Sequence, residues 1–75
     1  MILVTGATGF LGSEVVRQLK VHNKPVIALK RSGSVIPAAL LGMEISWRDA
    51  DLLNYFDLEE ALEGVTQVFH CAAPI

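Results

Sequence analysis

Residues 2–12 read Ile-Leu-Val-Thr-Gly-Ala-Thr-Gly-Phe-Leu-Gly. The apolar run Ile2–Val4 ends in Thr5-Gly6, which predicts a short buried strand and then a turn. Leu11, Val15 and Leu19 follow at intervals of four, the stripe of an amphipathic helix over about Gly9–His22. Between strand and helix stand three glycines, Gly6, Gly9 and Gly12, at a period of three. In that position the first glycine permits a tight turn. The second lets a diphosphate approach the backbone with no Cβ in the way, and the third lets the helix pack close to the sheet. The helix N-terminus adds unpaired N–H groups and a partial positive charge. No Lys-Ser or Lys-Thr follows the last glycine, so a Walker-type phosphate loop is excluded. The glycines taken alone also fit a merely structural turn. Their placement in a strand–turn–helix unit favours dinucleotide binding.

Working outward, Asn23 and Pro25 stop the first helix, and Val26–Leu29 is a second apolar run and a second strand. Arg31-Ser32-Gly33-Ser34 reads as a loop, and Val35–Leu41 as a short helix closed by Gly42. Met43–Trp47 alternates, with Met43, Ile45 and Trp47 on one side and Glu44 and Ser46 on the other. That is the pattern of an edge strand with one wetter face. Leu58, Ala61, Leu62 and Val65 have helical spacing. Asn54 and Asp57 carry a capping signal before them, and Gly64 is a stop after them. Val65–Cys71 makes a fourth strand, with Val68-Phe69 reading as buried.

Strands alternating with helices through short links require a parallel sheet, because a parallel return needs a crossover. The fold class is therefore α/β, the first half of a doubly wound parallel Rossmann sheet with strand order 3-2-1-4. In that order the fourth strand is an edge. A buried Val68-Phe69 at an edge implies a further neighbour beyond residue 75.

Composition bounds the remaining classes. Of 75 residues, 52% are apolar or aromatic, far too many for a disordered chain and many for a small domain without a staple. The single cysteine, Cys71, excludes an internal disulfide framework and offers no metal spacing. The longest uncharged apolar stretch, 32–43, is short and broken by Gly33, Pro37 and Gly42, so no membrane span is expected. Met1–Val4 has no basic segment before it and is too short for a signal peptide, which leaves the cytoplasm as the expected compartment. A net charge of −2 argues against nucleic acid as a partner. The charge is uneven: five of the six basic residues lie before Met43 and seven of the eight acidic ones from Glu44 onward. Solvated helix faces account for this, as does an anionic ligand on the N-terminal half.

The spacing Gly-x-x-Gly-x-x-Gly is one residue longer than the common dinucleotide fingerprint. Thr5–Gly12, TGATGFLG, resembles the opening of the extended short-chain dehydrogenase/reductases, also called NAD-dependent epimerases/dehydratases. Three further anchors follow in order: Arg31 in ALKRSGS, Asp51-Leu52 after the third strand, and His70-Cys71-Ala72-Ala73 closing the fourth. Within the family, ALKRSGS is most similar to the NADP-dependent reductases related to dihydroflavonol reductase. The resemblance covers residues 1–73 and implies that Gly6, Thr8, Gly9, Phe10, Leu11 and Gly12 surround the cofactor diphosphate. It implies that Asp51 accepts a hydrogen bond from the adenine amino group with the Leu52 backbone beside it. Ala72 and Ala73 would line the nicotinamide ribose. Asp51 also fits a solvated loop carboxylate or helix cap, and the alanines fit tight packing. His70, Cys71 and Trp47 read as structural.

An NAD-type site places Asp or Glu at the end of the second strand, to hold the ribose 2′-hydroxyl. No acidic residue occurs between Glu14 and Glu44, and Lys30 and Arg31 stand at that strand end. A guanidinium binds a 2′-phosphate with two parallel hydrogen bonds, so NADP(H) is expected in preference to NAD(H), through Arg31 first and Lys30 second. The family's catalytic Tyr-x-x-x-Lys is not present, since Tyr55, the only tyrosine, is followed four residues later by Glu59. Residues 1–75 are thus expected to be the N-terminal part of a dinucleotide-binding domain, inactive alone and at best marginally folded. The full-length protein is expected to be an oxidoreductase or epimerase/dehydratase. It would take a ketone, alcohol or nucleotide-sugar substrate through its later part and form a homodimer through later helices. A dinucleotide-sensing regulator with the same fold, and a 75-residue product without activity, are the other readings.

Overall fold

A computed structural model describes residues 1–71; Ala72 and Ala73 lie outside the described residues. Four parallel strands form one sheet in the order β3-β2-β1-β4, where β1 is Ile2–Thr5, β2 Val26–Lys30, β3 Ser46–Asp49 and β4 Gln67–His70. The expected order is observed. Helix α1, Phe10–Val21, links β1 to β2, and helix α2, Tyr55–Ala61, links β3 to β4.

The two central strands are buried along their length apart from half-buried Lys30, as continuous apolar runs in a parallel sheet must be. Strand alternation divides the core in two. Val4, Val26 and Ala28 point to the side where Val16 of α1, Ala7 and Leu40 pack. Leu3, Ile27 and Leu29 point to the other side, against Ala50 and Ala61 of α2. Each face of the sheet is therefore covered by one helix, the doubly wound arrangement.

Helix α1 ends in a Schellman motif. Asn23 takes the left-handed conformation at φ 57°, its N–H reaches the Lys20 carbonyl, and the Lys24 N–H reaches the Leu19 carbonyl. On its packing side the buried residues are Gly12 and Val16, flanked by half-buried Val15 and Leu19, whereas Leu11 is exposed. The expected stripe Leu11–Val15–Leu19 is thus rotated by one residue. The contact line runs through Gly12, where an apolar pattern has nothing to register.

Three further expectations are corrected. Val35–Leu41 is not a helix but a single 3₁₀ turn, Ala38–Leu40, because Pro37 holds the chain extended just before it. The third strand is Ser46–Asp49, three residues later in its start than Met43–Trp47. Met43, Ile45 and Trp47 do share a face against the Val4–Val16 cluster, but pairing to β2 begins only at Ser46 opposite Ile27. Finally, Val68 and Phe69 are not buried: every residue of β4 is exposed, and among the described residues β4 pairs with β1 alone.

Candidate functional site

The phosphate loop is built by its backbone. Gly6 sits at φ +65°, a conformation that turns the chain out of β1 without steric cost only for glycine. Its carbonyl accepts the Gly9 N–H at 3.0 Å, closing the turn. Gly12 lies under this turn, and a Cβ there would fall 2.0 Å from the Gly6 oxygen. Helix α1 therefore touches the loop at a distance only a glycine allows. Gly9 is the N-cap of α1 and supplies no side-chain cap, and the first turn contains no acidic residue. The end is left free for an external anion. A Cβ at Gly9 would come within 3.3 Å of the same oxygen.

Thr5 joins the tips of β1 and β4. Its hydroxyl is 2.7 Å from His70 Nδ1 and accepts the Cys71 N–H at 3.1 Å, and its carbonyl accepts that N–H at 3.2 Å. His70 is thus tied to a strand end, and Cys71 packs half-buried against the Val4 cluster.

At the C-terminal ends of the strands, where ligands lie in open α/β sheets, a groove of about 510 Å³ is lined by Gly6, Thr8, Leu29, Lys30, Arg31, Ser34, Ala50, Asp51, Leu52, Leu53 and His70. It brings together Gly6, Thr8, Arg31, Asp51 and Leu52 of the residues singled out above. Gly9, the N-cap of α1, and Gly12, in its first turn, are not part of that lining. The side chains of Phe10 and Leu11 are exposed at the start of α1, and only their backbone belongs to the helix end.

The two cations at the end of β2 differ. Lys30 is 2.9 Å from Asp49 and its side chain is only 14% exposed, the pair lying directly across the β2–β3 register. Arg31 is exposed at the groove with no ion pair among the described residues. Aspartates stand near it as well, since Asp49, Asp51 and Asp57 line an adjoining depression with Arg31.

The loop 50–54 forms the far wall. The Ala50 N–H donates to the Lys30 carbonyl, and Asp51 Oδ1 accepts the Leu53 N–H at 2.9 Å. Asn54 caps α2 by accepting the Asp57 N–H at 3.1 Å, as its sequence position predicts. Leu53 and Ala50 escaped the sequence reading and carry no signal of their own. Asp57 was visible only as a capping residue, yet its carboxylate accepts the Asp51 N–H at 3.2 Å. Arg48 of β3 donates to the carbonyls of Ala61 at 2.6 Å and Glu63 at 3.1 Å, satisfying the C-terminal end of α2. Among the described residues no helix is long and apolar enough to cross a membrane, and no cluster of side chains suits a metal ion.

The chain is similar to known proteins in sequence and in fold. The chain is 42% identical over 71 residues to sterol demethylase protein B of Methylococcus capsulatus, covering 95% of this chain and 21% of that protein. It is 34% identical over 83 residues to the bifunctional dihydroflavonol 4-reductase/flavanone 4-reductase of Pyrus communis, covering 99% of this chain and 23% of that one. The UDP-glucose 4-epimerase of Thermus thermophilus, solved in complex with NAD, superposes with a TM-score of 0.80 at 28% identity, over 97% of this chain and 24% of that one. The chain spans about a fifth of the length of these curated relatives. The model of the NAD dependent epimerase/dehydratase family matches residues 2–75, glycine loop, groove and all. By that match, with which the strand order agrees, the chain belongs to the NAD dependent epimerase/dehydratase family, the extended short-chain dehydrogenase/reductases.

Proposed function

We propose that this chain is the cofactor-holding first part of an NAD(P)-dependent oxidoreductase or epimerase/dehydratase, and that it prefers NADP(H). The groove residues fit such a cofactor. The side-chain-free helix end at Gly9 and the tight Gly6–Gly12 contact leave room and N–H donors for a diphosphate. Asp51, Leu52 and Arg31 line the groove together; in this reading the first two read the adenine and Arg31 holds the 2′-phosphate. When bound, the cofactor accepts or donates hydride; this chain's share is to hold and orient it. Ala72 and Ala73 belong to the nicotinamide end in this reading. The substrate site and the proton-transferring Tyr-x-x-x-Lys belong to residues outside this chain, with a carbonyl, alcohol or nucleotide-sugar substrate and a homodimeric assembly.

The observation that carries the NADP(H) preference is the unequal use of the two cations. Asp49 occupies Lys30, while Arg31 remains at the groove without an ion pair among the described residues. One charge-assisted hydrogen bond, about 1.5–3 kcal/mol, favours the phosphorylated cofactor by about 10- to 150-fold. Calorimetry on the intact protein tests this. Arg31→Ala should erase most of that preference with little change for NAD(H), and Gly9→Val should abolish binding of both cofactors in a folded protein. Equal dissociation constants in the unmodified protein would overturn the NADP(H) preference. Unchanged affinity in folded Gly9→Val would overturn the assignment of the glycine loop.

A further inference from the structure

Three hydrogen bonds around the start of α2 close a ring. The Asn54 N–H donates to the Asp51 carbonyl at 2.9 Å, the Asp57 N–H to Asn54 Oδ1 at 3.1 Å, and the Asp51 N–H to Asp57 Oδ2 at 3.2 Å. In an ordinary capping box the third helical residue returns its side chain to the N-cap N–H. Here the N-cap N–H is taken by Asp51, and Asp57 reaches three residues further back, to the loop itself. Nothing about helix stability demands that longer reach. Its effect is to fix the backbone on both sides of the Asp51 α-carbon, because Asp57 holds that residue's N–H and Asn54 its C=O. The carboxylate is in turn aimed by its own bond to the Leu53 N–H, which leaves it further acceptor sites.

We propose that Asp57 is a positioning residue for base recognition: acting through the Asp51 N–H, it sets the place of Asp51 and Leu52 on the groove wall. The inference rests on the cofactor reading given above, in which Asp51 meets the adenine amino group. It gives Asp57 no contact with the cofactor. An unrestrained loop must be ordered when the base arrives, and that ordering is subtracted from affinity. The ring orders it in advance.

The test compares NADP⁺ with its hypoxanthine counterpart, which presents a carbonyl where adenine has its amino group. Binding of both is measured on the intact protein, unmodified and as Asp57→Ala, Asp57→Asn and Asp57→Glu. The unmodified protein should prefer adenine by about 10-fold or more, the worth of one hydrogen bond to a charged group at the low end of its usual range. Asp57→Ala should bring the ratio to within twofold of unity with an unchanged affinity for the hypoxanthine form. Asp57→Asn, which keeps an acceptor oxygen, should retain at least half of the preference. If Asp57→Ala does not fold, Asp57→Glu decides. It keeps a carboxylate at the helix start but displaces it by a methylene, and it should cut the ratio at least twofold. An undiminished preference in folded Asp57→Ala, or in Asp57→Glu where that variant decides, would overturn the positioning role and leave the cofactor reading intact. Equal binding of the two bases by the unmodified protein would overturn the adenine reading of Asp51, and the inference with it.

Discussion

The unit β1–α1–β2 and the unit β3–α2–β4 have the same plan and different insides. In the first, both strands are buried and a twelve-residue helix packs through Gly12 and Val16. In the second, β3 is half-exposed, β4 is exposed throughout, and a seven-residue helix buries only Ala61. The difference follows from place in the sheet. β1 and β2 are inner strands with neighbours on both sides, and β3 and β4 are the outer ones. The inner unit is held by packing and close backbone contact. The outer unit is held by hydrogen bonds: the ring at Asn54 and Asp57, and the Arg48 bonds to the end of α2.

This contrast should break most completely at Gly12. Alanine normally helps a helix by about 1 kcal/mol over glycine. Here its Cβ would enter the Gly6 carbonyl, so Gly12→Ala should instead lose about 3 kcal/mol or more, at the top of the overpacking range. Urea denaturation that finds the variant as stable as its parent would show that the inner unit does not depend on this contact. A second pair of variants separates the two kinds of strand. Leu3→Ala, in the fully buried centre, should cost about 2–5 kcal/mol, whereas Val68→Ala in the same 75-residue chain should cost under about 1 kcal/mol. Equal losses would mean that β4 is covered in solution.

Much of the inner unit was legible because its signals are local. Strand, glycine spacing and helix stop each occupy a few consecutive residues, and the doubly wound order follows from their alternation. Arg31, Asp51 and Asn54 could be singled out for the same reason. What stayed hidden depends on partners distant in sequence. The start of β3 is set by where β2 offers a ladder, so the alternation from Met43 to Trp47 marks a shared face without marking a strand. The rotation of α1 is set by a glycine. The occupation of Lys30 by Asp49, and the reach of Asp57 to Asp51, join residues whose types are visible but whose meeting is not.

The smallest effect lies on the solvent side of α1. Arg17 forms two hydrogen bonds to the Glu14 carboxylate, at 2.9 and 2.6 Å. Together with Gln18 it holds that acid from its ordinary 4.5 down to about 2. A depressed acid stabilises the folded state fully above its unfolded pKa and loses that contribution as pH falls through the folded value. Any stabilisation by this exposed pair should therefore be complete above about pH 5 and fade toward pH 2. Carboxyl titration by NMR should place Glu14 well below the other glutamates, and Arg17→Ala should raise it toward the ordinary range, with the Gln18 bond left in place. A Glu14 midpoint near 4.5 in the unmodified protein would dissolve the pair.

Lys30 and Asp49 face each other across neighbouring parallel strands. Parallel ladders repeat evenly, so hydrogen bonding alone scarcely tells one alignment of an outer strand from the next, and a slip of one residue turns every side chain over. The pair works as a registration mark printed at the end of the sheet. If β3 slid by one residue, Lys30 would lose its counter-charge and Trp47 would swing from the core into water. The mark stands at the rim of the groove, so the same two atoms that keep the outer strand in step also take one of two adjacent cations out of competition. Alignment of the scaffold and the charge offered to a ligand are thereby written with a single contact.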